Sequence, residues 1–310
     1  MNPRGTIAAL LFGNLVIGTG VMVLPGMLDH VARGLQVPVA TAGQLIALGA
    51  TVMCLGAPLV AATTSRIDRR RLLLFALGLY AIGHIACALA PGYASLAVLR
   101  MCTVLSAAIF TPQAAATIGL VVGPERRAAA VTAIFAGWSI ASVLGMPLGN
   151  LVAAYFGWRW SFALVAVLAV LGCVAVWRTT PAGLTVPPLS LASWRAVAAS
   201  RALRLVLVVT LVSGAGQFVL LSYIAPSVAR LTAAEPPQIA ALFLLFGIFG
   251  VLGNALVVRY IGRAGADRAV AAALAAMLGG VAVWAFGTQV IGWVWPSLVI
   301  GVMLWGLGCF

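Results

Sequence analysis

Charged residues cut the chain into long uncharged runs, and the lengths of those runs predict its elements. Residues 6–28, 34–65 and 72–99 carry no charge. A helix of about 20 apolar residues crosses the roughly 30 Å of hydrocarbon in a bilayer, so each run holds at least one span. The third contains the turn signal Pro91-Gly92, which predicts a fourth helix from about 94, through Arg100, to about 122. Residues 128–158 and 160–177 predict a fifth and a sixth helix, and 205–229 and 236–258 a seventh and an eighth. The last 42 residues, 269–310, exceed one span, and a turn at 287–292 divides them into a ninth and a tenth helix. The first run is too long for the apolar stretch of a cleaved signal peptide, about 7 to 15 residues, and is read as a helix.

Composition turns this pattern into a fold class. The chain is 64% hydrophobic and 7% charged, whereas soluble domains carry about a quarter charged residues. An all-α integral membrane protein follows. All 18 basic residues are arginine, and the formal net charge is +13. With a cytoplasmic N-terminus, fourteen arginines fall on the inside and three, Arg33, Arg159 and Arg230, on the outside, with Arg100 inside a helix. That bias orients a multi-pass protein of the cytoplasmic (inner) membrane. Basic loops against anionic membrane lipids account for the charge, so it does not point to nucleic acid.

Chemistry-bearing residues are sparse. Cys54, Cys87, Cys102, Cys173 and Cys309 all fall in predicted spans without CxxC spacing, and read as small packing residues. Two histidines, His30 and His84, exclude a multi-histidine metal site. The lack of lysine excludes a Schiff base. No nucleophile, base and orienter arrangement is visible, so no enzyme, cofactor or metal is expected.

The longest polar connection, residues 178–204, holds Pro181, Pro187-Pro188 and four arginines. It divides the chain into a six-helix half, 1–177, and a second part, 205–310. Within it, 189–204 reads either as a short interfacial helix with Trp194 toward lipid or as an irregular linker. The stretch "GNALVVRYIGRAGADR", 253–268, echoes the arginine-rich loop between helices two and three.

Four stretches carry a family pattern: "AATTSRIDRRRLLLF" at 61–75, "FAGWSIASVLGMPLGN" at 135–150, "NLVIGTGVMVLPGML" at 14–28 followed by "ATAGQLI" at 40–46, and "LAVLRMCTVLSAAIF" at 96–110. With these, nearly the whole chain resembles the drug:proton antiporter branch of the major facilitator superfamily, in particular its arabinose-efflux-permease-like members. The resemblance implies two parallel helical halves, with ten of an expected twelve transmembrane helices present and the C-terminal half incomplete. It implies a secondary transporter, proton-coupled and exporting a small solute by alternating access. A transporter-like sensor or membrane scaffold that does not transport is the alternative.

The resemblance also assigns residues. Arg66, Arg69 and Arg70 match the basic positions of the family's loop motif, a cytoplasmic gate. Ala61 and Ser65 replace its leading glycine and aspartate, and Asp68 stands at its later glycine. Gly137, Gly145, Pro147 and Gly149 match the helix-five antiporter motif. With Ala141 the glycines recur every four residues and form one flat ridge, which the resemblance packs against helix eight at Gly247, Gly250 and Gly253. Arg100 matches the helix-four arginine. Its depth requires a wet cavity, a polar partner or snorkelling, because a lipid-facing arginine there costs a few kcal/mol. Asn14, Gln113 and Gln217 fall on helices that line the family's central cavity, or else bond helix to helix. With Trp138, Phe218 and Trp305 nearby, that cavity suits a lipophilic or amphipathic solute.

Relatives often carry an acidic residue in helix one where this chain has Val21. The proton-coupling candidates are therefore His84 and Asp29. His84 lies 12 residues past Leu72, about 18 Å along a helix at 1.5 Å per residue and near mid-membrane. The expected partners are a small-molecule substrate, protons and anionic lipids, with the chain a monomer.

Overall fold

A computed structural model describes residues 3–64, 66–185, 195, 198–290 and 292–309. Among the described residues there are ten long helices and no strand: α1 (Pro3–Gly34), α2 (Val39–Thr63), α3 (Arg69–Ala88), α4 (Tyr93–Val121), α5 (Pro124–Phe156), α6 (Trp158–Thr179), α7 (Arg201–Thr232), α8 (Pro236–Ala264), α9 (Ala266–Gly287) and α10 (Val294–Cys309). They match the predicted ten in order. Nine are long and apolar enough to cross a bilayer, while α10, at 16 residues, is shorter.

The helix ends differ from the sequence reading in an instructive way. α5 begins at Pro124 and carries Glu125, Arg126 and Arg127 in its first turn. α8 continues through Arg259 to Ala264, so most of the supposed loop at 253–268 is helix. Helical hydrogen bonding does not stop where the hydrocarbon does. What stops it is backbone chemistry: a proline fits the first turn of α5, and Gly265, at φ +83°, ends the run of α8. α3 ends at Ala88, one turn past His84. Half of 189–204, Trp194 included, lies outside the described residues, as does Ser65.

α1 is the hub, packed against α5, α6, α2, α4 and α7. α3 pairs with α4 and α6, and α2 with α4; α9 pairs with α10, which also packs on α8. The larger core contains Leu10, Ile17, Leu24, Leu73, Tyr80, Phe110 and Phe162. A second core, with Phe243, Phe246, Leu298 and Trp305, also takes in Met22 of α1 and Met146 of α5. Large apolar side chains such as Leu59 (67% exposed) and Leu211 (68%) cover the outside, an arrangement that lipid, not water, stabilises. Cys54 and Cys102 are on that surface, while Cys87 is buried; two of the five cysteines are therefore not packing residues.

Candidate functional site

Arg100 is 3% exposed and turned inward. Its Nη2 donates to the Gly20 carbonyl of α1 at 2.6 Å, and its Nη1 lies 3.3 Å from His84 Nε2 on α3. His84 Nδ1 is 2.9 Å from the Tyr80 carbonyl. A carbonyl only accepts, so that nitrogen carries the hydrogen, and Nε2 is left to accept from Arg100. The Tyr80 hydroxyl donates to the Ile17 carbonyl at 3.0 Å. The Tyr80 and His84 rings meet edge-on, 4.2 Å between centroids, and the guanidinium sits 5.8 Å from the Phe162 ring of α6. Arg100 Nε has no hydrogen-bond partner among the described residues. Gly20 makes the approach possible, because a Cβ there would lie 2.2 Å from Tyr80 Oη and 2.9 Å from His84 Nε2. The cluster binds α1, α3, α4 and α6 through a cation held by neutral acceptors.

Asn14 is fully buried. Its Nδ2 donates to the Ile134 carbonyl of α5 at 3.1 Å, and its Oδ1 accepts from Thr111 Oγ1 of α4 at 2.9 Å. The indole of Trp138 donates in turn to Thr111 Oγ1 at 3.5 Å. Trp138 packs against both hydrophobic cores, so this polar chain ends where they meet. Gln217 is half-buried on α7 and joins none of these bonds.

Gln113, expected either to line the cavity or to bond helix to helix, meets Arg69 at the start of α3. It accepts from Arg69 Nη1, and its carbonyl accepts from Thr117 Oγ1 at 2.6 Å. Arg69 is 1% exposed and also donates to the Thr64 carbonyl at 2.7 Å. Asp68 caps α3, accepting from the Arg71 amide at 3.0 Å. Arg70 donates to the Trp177 carbonyl of α6, while Arg66 is exposed. At the opposite end Asp29 pairs with Arg33 at 2.6 Å, a one-turn contact with Arg33 67% exposed.

The helix-five ridge closes on α1, not on α8. A Cβ at Gly137 would lie 2.2 Å from the Leu11 carbonyl oxygen, and one at Gly149 would lie 2.6 Å from that of Val23. Gly145 faces Met22 and Thr19, and the helix runs on through Pro147. α8 meets α5 through Gly247, which faces Val143. At 100° per residue Val143 is roughly 180° round the helix from the middle of the ridge. Gly253 faces Leu307 of α10, and Gly306 of α10 faces Phe246, Phe249 and Gly250.

Sequence reasoning missed Tyr80, Thr111 and Phe162. The i, i+4 spacing of Tyr80 and His84 was an available signal; nothing marked the Gly20 carbonyl. A separate cavity of about 400 Å³ opens between α7, α9 and α10, walled by Tyr223, Ser227, Trp284, Thr288 and Trp305. Of the residues singled out in the sequence for the solute cavity, Trp305 is among its walls, while Asn14, Arg100, Gln113 and Gln217 are not.

A family profile described as Major Facilitator Superfamily matches residues 10–310. Inner membrane transport protein YdhP of Escherichia coli (strain K12) is 30% identical over 264 residues, 85% of this chain and 67% of its own. Putative transporter AraJ of the same strain is 28% identical, over 84% of this chain and 66% of its own. A probable sugar efflux transporter of Mannheimia succiniciproducens is 29% identical, over 81% of this chain and 63% of its own. The chain spans 65% of the length of one Bacillus subtilis relative and 63% of another. Among solved structures, a bacterial homolog of the human lysosomal transporter Spinster, inward-facing and unoccupied, superposes with TM-score 0.76 at 17% identity, over 99% of this chain and 74% of that one. A D-xylose-proton symporter gives 0.73 at 18%, over 98% and 80%.

Proposed function

The chain belongs to the Major Facilitator Superfamily, and from that premise we propose that it is part of a secondary active transporter exporting a small lipophilic or amphipathic solute by alternating access. The observation that carries the reading is the junction of the two cores, where Trp138 touches both and the Asn14–Thr111 pair supplies a few polar anchors in apolar surroundings. Efflux draws support from the relatives named sugar efflux transporters. In this proposal the halves 1–177 and 205–310, joined by 178–204, rock about that junction. Asn14, Arg100, Gln113 and Gln217 serve the solute path or its walls, His84 and Asp29 are the proton-coupling candidates, and Arg66, Asp68, Arg69 and Arg70 form the cytoplasmic gate. The arginine distribution supports a cytoplasmic N-terminus in the inner membrane.

The test is flux in proteoliposomes with an imposed pH gradient, using ethidium as the lipophilic cation and arabinose as the sugar. Gradient-dependent ethidium movement, lost in Arg100→Ala and His84→Ala variants that still fold, is the expected result. Movement of arabinose alone would replace the lipophilic solute with a sugar. No flux of either probe, in vesicles holding folded protein, would favour the sensor or scaffold.

A further inference from the structure

The chain does not leave the bundle where α6 ends. Past Thr179 it folds back over the arginine-rich end. Thr180 is 3% exposed, and the Thr6 hydroxyl of α1 donates to the Thr179 carbonyl at 2.8 Å. Gly183, at φ +82°, then turns its amide toward the start of α3 and donates to Asp68 Oδ2 at 2.5 Å. One residue on, the Leu184 carbonyl accepts from the Arg69 amide at 2.8 Å. Arg70 reaches the Trp177 carbonyl from the same turn.

Asp68 therefore does two things with one carboxylate. Oδ1 caps α3 through the Arg71 amide and Oδ2 holds Gly183. A carboxylate can do this because both of its oxygens accept. The positive φ of Gly183 is open to glycine at no steric cost, and no side chain crowds the position, since a Cβ there would meet nothing within 4 Å.

We propose that Asp68 is the positioning residue of a clasp that anchors the connection between the two halves onto the loop between α2 and α3. The chain then sets out toward α7 from Thr185 beside the N-terminus of α3. Tension along it reaches the arginine loop before it reaches the end of α6. The inference deepens the gate reading of Arg66, Asp68, Arg69 and Arg70 and rests on the two-half organisation, but its geometry is independent of transport.

Asp68→Asn separates the two duties. Asparagine keeps one acceptor oxygen and caps helices about as well as aspartate, but its other atom is a donor that cannot take the Gly183 amide. The experiment is hydrogen–deuterium exchange by mass spectrometry on the whole chain in nanodiscs. In Asp68→Asn, exchange at 182–184 and at the Arg69 amide should rise by about tenfold or more, the range for loss of a hydrogen bond to a charged group, while the rest of α3 is unchanged. Gly183→Ala, which leaves the cap untouched but strains φ, should loosen the same amides. Unaltered exchange at 182–184 in both variants would overturn the clasp. Loosened exchange with undiminished ethidium flux would retain the clasp and remove the gate.

Discussion

α1 and α7 are both 32-residue helices, and both are long and apolar enough to span a membrane, yet 19 residues of α1 are buried against six of α7. All six in α7 lie between Leu221 and Val228, and every residue from 201 to 212 is exposed. Apolarity is nearly the same; what differs is the kind of residue. α1 is studded with Gly13, Gly18, Gly20 and Gly26 and with Thr6, Asn14 and Thr19, all buried, while the first half of α7 reads "RALRLVLVVTLV". In lipid, helices associate through close backbone approach and interhelical hydrogen bonds rather than through apolarity. Small and polar residues therefore mark the helix packed inside the described bundle, while leucine and valine dominate the stretch of α7 that is exposed among the described residues.

The sharpest way to break this comparison is to give each helix the other's residues. Gly137→Leu places a branched side chain where Leu11 O and Leu15 N lie 2.2 and 2.7 Å from the Cβ position. Forcing α1 and α5 apart should cost about 3 kcal/mol or more and leave no monodisperse peak on size-exclusion in detergent. Gly216→Leu on α7, with nothing within 4 Å, should stay within about 0.5 kcal/mol of the parent. Equal losses at the two sites would sink the distinction.

Arg100→Leu comes next. It leaves the Gly20 carbonyl and His84 Nε2 without their donor, and should lower stability by about 1–3 kcal/mol; an unchanged melting temperature would mean that the contact contributes nothing. Asn14→Leu removes two interhelical bonds worth about 0.6 kcal/mol each in membranes. A double-mutant cycle with Thr111→Val should show coupling, and strict additivity would argue against the pair. Smallest is Leu211→Ala, at 68% exposure, where thermal unfolding should shift by less than about 0.5 kcal/mol.

The ten helices were legible because charge is excluded from hydrocarbon, and each uncharged run records that exclusion directly. The ends were less legible, since Arg126, Arg127 and Arg259 look like loop residues in a hydropathy pattern but are accommodated in helix that outlasts the apolar layer. The ridge of Gly137, Ala141, Gly145 and Gly149 was plain in its spacing. Spacing identifies a smooth face, not the neighbour that will occupy it, and α1 rather than α8 took the place. Arg100 announced its need for a polar partner by its depth, while the partner, a main-chain oxygen at Gly20, leaves no mark in a sequence. Gln113 meets Arg69 across 44 residues and Gly183 meets Asp68 across 115, pairings that local pattern does not encode.

The contact between α1 and α5 has a mechanical consequence. Where Gly26 meets the Met146 carbonyl and Gly137 meets that of Leu11, main chain bears on main chain with no flexible side chain between to take up slack. Two rods joined without play bend as one thicker beam. α1 and α5 therefore act as a single strut, and compliance resides in joints cushioned by side chains, such as Leu105 of α4 against Gly56 of α2.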